Sequence, residues 1–287
     1  MIENDFILHS LLFYLYQNKE FKRKYAFKGG SCLIKCYLGY YRFSEDLDFT
    51  YINQNKFKGL SKKKARQKIS QELDRIVKSL ELFCEKNGFD FKPNKANKRY
   101  FEFGAGNTLT TIKLFYKSIE TGFEQFIKLQ FNFVEMLCFP ILELDAKTIV
   151  NVQEYPEMKV LFPEEDLRFV RPVSLTSYNL KEILVEKVRA ILTREVVKSR
   201  DFLDVYMIKN VKGLSFYELK KDIIEKTKFV LRYQKYLRNL KSHIEHKIEY
   251  NIGDERNLLL DKSLPNFDVF IKEFREFIDR IILEILT

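Results

Sequence analysis

The chain has little of what marks secreted, fibrous or membrane-spanning proteins. Its 287 residues include no Trp, 6 Pro and 10 Gly, which excludes collagen-like and linker-dominated chains. Four Cys (Cys32, Cys36, Cys84 and Cys138) are too few for a disulfide framework, so reduced thiols in a cytoplasmic protein are expected. No run approaches 18 uncharged apolar residues, so no transmembrane helix and no membrane partner are expected. The opening Met1-Ile2-Glu3-Asn4-Asp5 is acidic where a signal peptide would carry Lys or Arg. There is no G-x-S-x-G elbow and no G-x-x-x-x-G-K-[ST] loop, which removes two common catalytic readings. Cys32 and Cys36 share a helix face, but no further Cys or His lies near enough in sequence to complete a zinc site. His243 and His246 likewise lack companions at metal-ligand spacing.

Against these absences stand 27 Phe, 16 Tyr and 46% hydrophobic residues, enough for a sizeable aromatic core. The net charge is +10, and nearly all of that excess falls in residues 51–100. Between Asp48 and Glu72 seven basic residues (Lys56, Lys58, Lys62, Lys63, Lys64, Arg66 and Lys68) follow one another without an acid. Such a tract is either a solvated helix face or the footprint of a polyanion.

Periodicity divides the chain in two. Residues 6–17 read as a helix, Tyr25–Lys28 as a short strand ending at Gly29-Gly30, and Asp46–Tyr51 as a strand of alternating polar and apolar residues. Ser31 stands where a helix N-cap is expected. Residues 61–87 form a long helix that stops at Asn87-Gly88. Segments around 99–103, 111–116 and 126–133 alternate β-branched and aromatic residues in strand fashion, with a hairpin turn at Gly104–Thr108. Beyond Ser177 the pattern is helical over about 178–195, 198–210, 215–229, 231–250 and 266–286. The expected fold is α+β, with a mixed sheet and flanking helices over 1–172, then a helical bundle over 173–287.

Two constellations carry chemistry. Asp46 and Asp48 lie two apart on a strand, so both carboxylates project from one face and repel each other. A divalent cation bound together with a nucleotide's phosphates removes that repulsion; a strand with one solvated face is the alternative. Upstream, Lys28-Gly29-Gly30-Ser31 sits at a strand-to-helix turn, where free backbone N–H groups favour a phosphate. The second constellation is helical. Lys187 falls inside the apolar stripe Leu180, Ile183, Leu184, Val188 and Ile191, where an ammonium is costly unless an anion meets it or its stem snorkels. Arg194 follows one heptad later, and Asp201 and Asp204 open the next helix. A local Arg–acid pair there is the plainer alternative.

The blocks Lys28-Gly29-Gly30-Ser31 and Arg42-Phe43-Ser44-Glu45-Asp46-Leu47-Asp48-Phe49, with Leu184–Ala190, Arg194 and Arg200-Asp201-Phe202-Leu203-Asp204, resemble the AbiEii-type nucleotidyltransferase toxins. These are a branch of the polymerase-β-like nucleotidyltransferase superfamily. The resemblance implies a nucleotidyltransferase core, with the helical domain completing an active-site cleft. It also implies Mg2+-dependent transfer of a nucleoside monophosphate from an NTP, and a cognate antitoxin as partner. An RNA acceptor such as a tRNA 3′ end follows from the same likeness. Gly30 and Ser31, with Lys28 and Gly29, would hold the triphosphate, and Asp46 and Asp48 the Mg2+. Lys187 would meet phosphate charge with Arg194 beside it, and Asp201 or Asp204 would be the polar partner of the second block. Arg42 and Ser44 would shape the turn or touch nucleotide, while Lys62, Lys63, Lys64 and Arg66 would contact RNA. Relatives carry a third carboxylate on a later strand, where this chain has Gln130 after Ile127-Lys128-Leu129. Glu135 or another acid substitutes for it, or the site runs on two carboxylates, or activity falls. A non-catalytic nucleotide- or RNA-binding module and transfer to a protein are the alternatives.

Overall fold

Alternation of large apolar and small or polar residues along Tyr25–Lys28, Asp46–Tyr51 and Glu124–Asn132 gives three strands that share one greasy face and one polar face. The computed structural model describes residues 2–150, 157–245, 259–260 and 263–287. His246 and the 246–250 end of the helix expected at 231–250 lie outside them.

In chain order the elements are helices α1 (Ile2–Gln17) and α2 (Lys19–Lys24), strand β1 (Tyr25–Lys28), helix α3 (Gly29–Cys32), strand β2 (Asp46–Tyr51) and helix α4 (Lys62–Asn87). Strands β3 (Phe101–Gly104), β4 (Leu109–Lys117), β5 (Glu124–Asn132) and β6 (Leu142–Ala146) follow. The short helices α5 (Met158–Leu161) and α6 (Pro163–Glu165) precede β7 (Val173–Ser177). The helical half is α7 (Leu180–Thr193), α8 (Ser199–Lys212), α9 (Lys220–Leu231), α10 (Gln234–Glu245) and α11 (Phe267–Leu286).

The strands form one seven-stranded mixed sheet in the order β3-β4-β5-β2-β1-β7-β6. β2 runs parallel to β5 and β1 parallel to β7, while the remaining neighbours are antiparallel. Phe27, Phe49 and Phe131 stand side by side across β1, β2 and β5, and the Phe49 and Phe131 rings stack at 5.1 Å. Phe21 closes on Phe49 edge to face at 5.5 Å, and α1 adds buried Leu8, Leu11, Leu12 and Leu15. Because side chains alternate along a strand, packing Leu47, Phe49 and Tyr51 inward forces Asp46, Asp48 and Thr50 onto the opposite face.

Helix α4 starts where Ser61 Oγ accepts from the Lys64 N–H and stops at Gly88, whose φ of +71° continues the chain in a left-handed conformation. Ile69, Leu73, Ile76, Val77, Leu80 and Phe83 bury its inner face.

The chain divides into two compact units, one comprising residues 1–39, 43–135 and 141–177, the other residues 40–42, 136–140 and 178–287. Val173–Ser177, read from the sequence as the opening of the helical half, is strand β7 of the sheet, so the division falls after Ser177 rather than after residue 172. In the helical unit, Phe267, Phe270, Phe274 and Phe277 recur at three- and four-residue spacing along α11 and pack on Phe202, Tyr206 and Phe216. No helix among the described residues is long and apolar enough to cross a membrane.

Candidate functional site

The polar face of the sheet is built from register. Asp48 on β2 lies opposite Lys28 on β1 and opposite Gln130 on β5, and Asp46 lies opposite Lys128. Thr50 continues the same face opposite Asn132. Asp46 and Asp48 are both half-buried. Gly29, at φ +77°, follows Lys28, and a Cβ there would collide with the Asp48 carboxylate. Only glycine satisfies both the left-handed conformation and the close approach.

Ser31 is not the N-cap of the following helix. The helix begins earlier, at Gly29, with Lys28 at the cap position and no side-chain cap bond. Ser31 is buried inside α3, which runs directly into a π-helical turn at Leu33–Leu38. Its hydroxyl donates to the Asp46 carbonyl and shares a 2.5 Å hydrogen bond with the Ser44 hydroxyl. Ser31 and Ser44 therefore pin the backbone at the start of the aspartate strand. A π-helical turn so close to a polar face is the kind of irregularity functional sites often contain.

Lys28 spends charge within the protein: its ammonium donates to Glu135 Oε2 at 2.8 Å, and both side chains are buried. Thr50 Oγ1 at 2.8 Å and Asn132 Nδ2 at 3.0 Å donate to the same oxygen. Glu135, one of the acids expected to stand in for Gln130, is thus committed to Lys28, Thr50 and Asn132. Among the described residues no three His, Cys, Asp or Glu side chains cluster as a metal site. Gln130 does occupy the place beside Asp48, and its Nε2 donates to Thr111 Oγ1 at 3.3 Å.

The second constellation lies in the helical unit. The Lys187 ammonium meets Asp201 Oδ1 at 2.7 Å and Asp204 Oδ2 at 2.6 Å, both from the first two turns of α8. Asp204 also accepts a two-pronged bond from Arg42, Nε to Oδ1 and Nη2 to Oδ2, each at 2.8 Å, and the Tyr41 hydroxyl at 2.6 Å. Arg194 Nη1 closes on Asp201. Burial alone would raise both carboxyls; Arg42 and Lys187 hold Asp204, and Lys187 and Arg194 hold Asp201, below the usual carboxylate range. Burial and then the Asp204 charge push the Tyr41 phenol well up.

This arrangement sets the partners of the second block. The anion that meets Lys187 is the aspartate pair itself, and the Lys187 side chain keeps only 11% exposure. Asp204, with none of its side chain exposed, and Asp201, at 2%, are buried counterions with no open carboxylate to offer a ligand. Arg42, 2% exposed, is consumed by Asp204, so of its two expected roles it fills the one of shaping the chain before β2. Arg194 makes the local Arg–acid pair that was the plainer alternative, and its side chain stays 38% exposed. Tyr41 was missed, because a tyrosine in a loop carries no periodic signal.

The lysines of the basic tract divide as well. Lys56 is tied to Glu72, which also binds Lys24 and Arg75. Lys62, Lys63, Lys64 and Arg66 are all exposed on the first turns of α4. Among the described residues none of the four has an ion pair, and Arg66 Nε donates only to the Gly106 carbonyl at 3.3 Å. Cys32 and Cys84 are buried free thiols, Cys36 and Cys138 half-buried ones.

A family model for the nucleotidyl transferase AbiEii toxin of type IV toxin–antitoxin systems matches residues 10–285. The chain belongs to that family: it is a nucleotidyltransferase toxin, with an NTP as substrate and an antitoxin as its counterpart. Among solved structures it is similar to MenT4, the nucleotidyltransferase toxin Rv2826c of Mycobacterium tuberculosis H37Rv, at 18% identity and a TM-score of 0.47, covering 97% of this chain and 86% of that one. It is also similar to JHP933 from Helicobacter pylori, at 14% identity and a TM-score of 0.44, covering 98% and 91%. A putative nucleotidyltransferase from H. pylori matches at 15% identity and a TM-score of 0.41, covering 97% and 93%. No curated protein sequence matches the chain.

Proposed function

We propose that this toxin acts in the cytoplasm and transfers a nucleoside monophosphate from an NTP to RNA, with the 3′ end of a tRNA as acceptor. The acceptor hydroxyl oxygen forms a bond to the α-phosphorus, the bond from that phosphorus to the β-phosphate bridge breaks, pyrophosphate leaves and the hydroxyl proton is released to water.

Two carboxylates on one strand face suit a single small oxygen-seeking cation that takes its other ligands from phosphates and water, which is how Mg2+ is commonly held. The set present thus fits Mg2+, with Asp46 and Asp48 as the residues that would hold it. Bound there, the ion would neutralise phosphate charge and align the attacking and leaving oxygens. Gly29, Gly30 and Ser31 let the backbone approach the triphosphate.

The observation that carries the RNA acceptor is the start of α4. Three consecutive lysines, exposed and without ion pairs among the described residues, stand in the first turn of a 26-residue helix that has no acid there. Cations at the positive end of a helix dipole cost about 0.3–1 kcal/mol each in stability. A polyanion on this helix end offsets that cost.

The test is labelling with each α-labelled NTP, Mg2+, total RNA and total protein. Label should enter RNA with wild type and fall about 10³-fold with Asp48→Ala, the scale on which removal of charge stabilisation at a reacting phosphate acts. Equal labelling by both proteins removes Asp48 from the chemistry, and label in protein alone removes the RNA acceptor.

A further inference from the structure

A two-ion phosphoryl-transfer site sets its cations about 3.5–4 Å apart and needs carboxylate oxygens enough to share between them. On this face the place beside Asp48 on the parallel neighbouring strand is held by Gln130, whose amide brings one neutral oxygen and turns its nitrogen to Thr111. The next acid along the chain after β5, Glu135, is bound by Lys28, Thr50 and Asn132. Beside Asp46, in register on the same face, stands Lys128. Among the described residues its ammonium has no carboxylate partner; it leans over the Phe126 ring at 5.5 Å, half-buried. The two aspartates are therefore flanked by a lysine on each neighbouring strand, Lys28 opposite Asp48 and Lys128 opposite Asp46. A second divalent ion would find no third carboxylate, and Lys28 is already neutralised by Glu135, leaving the Lys128 ammonium as the added positive charge on this face.

We infer that this face holds one divalent ion, not two, and that the Lys128 ammonium supplies the second positive charge toward the triphosphate. The inference rests on the reading of Asp46 and Asp48 as the metal carboxylates. A lysine serves this purpose without a carboxylate of its own, because its charge needs only the phosphates as counterion.

The experiment counts Mn2+ on the full chain in the presence of a non-hydrolysable α,β-methylene NTP, by equilibrium dialysis and electron paramagnetic resonance. One Mn2+ per chain with the isolated six-line spectrum is expected. Gln130→Glu should admit a second ion and give the broadened spectrum of a coupled pair. Two coupled ions in wild type overturn the one-ion inference and leave the metal reading of Asp46 and Asp48 standing. No bound Mn2+ in wild type overturns both. Lys128→Gln, which removes the charge and keeps a polar side chain, gives an independent reading. It should weaken the NTP analogue about tenfold and tighten Mn2+ measured without nucleotide severalfold. If neither constant moves, Lys128 carries no charge to the site and that part of the inference fails.

Discussion

Two aspartate pairs, Asp46/Asp48 and Asp201/Asp204, look alike on paper and differ in what surrounds them. Spacing of two on a strand and of three on a helix each places both carboxylates on one face. On the sheet the pair is half-buried, flanked by one lysine from each neighbouring strand and backed by a glycine that leaves room for nothing more than hydrogen. On α8 the pair is sealed and met by Lys187, Arg42, Arg194 and the Tyr41 hydroxyl. The first pair is half-buried at a strand face; the second is enclosed and matched within the protein. Acid spacing tells where carboxylates point, and only the neighbours tell whether they are on offer.

That contrast breaks most sharply at Asp48 and Asp204. Asp48→Ala should cost about 10³-fold in labelling while the thermal midpoint falls much less than with Asp204→Ala, because the Asp48 carboxylate is half-buried and Lys28 keeps Glu135 as counterion. Asp204→Ala leaves the buried Arg42 and Lys187 without their shared counterion, which costs on the order of 3–5 kcal/mol and should lower the midpoint by roughly 10 °C or more. The acid limb follows the same logic. Asp201 and Asp204 have depressed folded pKa values, so their contribution is present above the ordinary carboxylate range and is lost as pH falls below it. Calorimetry beside the labelling assay decides: a stable, inactive Asp204→Ala would make the helical pair catalytic and end the distinction.

Much of the sheet side was legible because local signals and packing agreed. The limits of β2 and the Gly88 stop of α4 follow from alternation and capping chemistry that tertiary contacts did not override. Gln130 was expected near the aspartate pair, and register puts it opposite Asp48. What resisted reading was partnership across long separations. Nothing in the spacing of Arg42 or Tyr41 points to Asp204, 162 and 163 residues away. Lys28 seemed available to phosphate until Glu135, 107 residues on, was found holding its ammonium. The helix start at Gly29 was missed because Ser31 is a better cap by type, yet its hydroxyl is taken by Asp46 and Ser44. Residues 173–177, at the expected boundary of the two halves, form a strand of the sheet.

The sheet unit has a sealed cluster of its own, and it sharpens the comparison at smaller cost. Asp5 and Lys35 pair at 2.6 Å, and buried His9, whose Nε2 donates to the Arg171 carbonyl at 2.7 Å, lies in their field. Burial, and then the Lys35 charge, push the His9 imidazole down to about 4. The unfolded chain takes up that proton near its ordinary value of 6.5, so stability falls as pH is lowered from about 6.5 to 4 and is restored on raising it. The whole window amounts to on the order of 3 kcal/mol. His9→Gln, measured by denaturant midpoint against pH, should flatten this limb; an unchanged limb assigns it to other groups.

The smallest effect concerns charges left open on purpose. Lys62, Lys63 and Lys64 contrast with Lys187 and Lys28, since they are exposed at a helix start and have no ion pair among the described residues. Each phosphate a lysine neutralises on RNA adds about −0.7 to −0.9 to the slope of log affinity against log salt. Replacing all three with Gln should therefore flatten that slope by up to about 2–3 and weaken RNA binding most at low salt. It should also raise the thermal midpoint slightly, because three cations leave the positive end of the helix dipole. NTP binding and the Mn2+ count should hold at wild-type values, since the sheet face is untouched. The stability gain separates the two explanations of the tract: it is expected whether or not RNA binds, whereas the slope change requires it. A triple variant that gains stability and keeps the full salt slope would make these lysines a solvated face, and the acceptor would have to be held elsewhere.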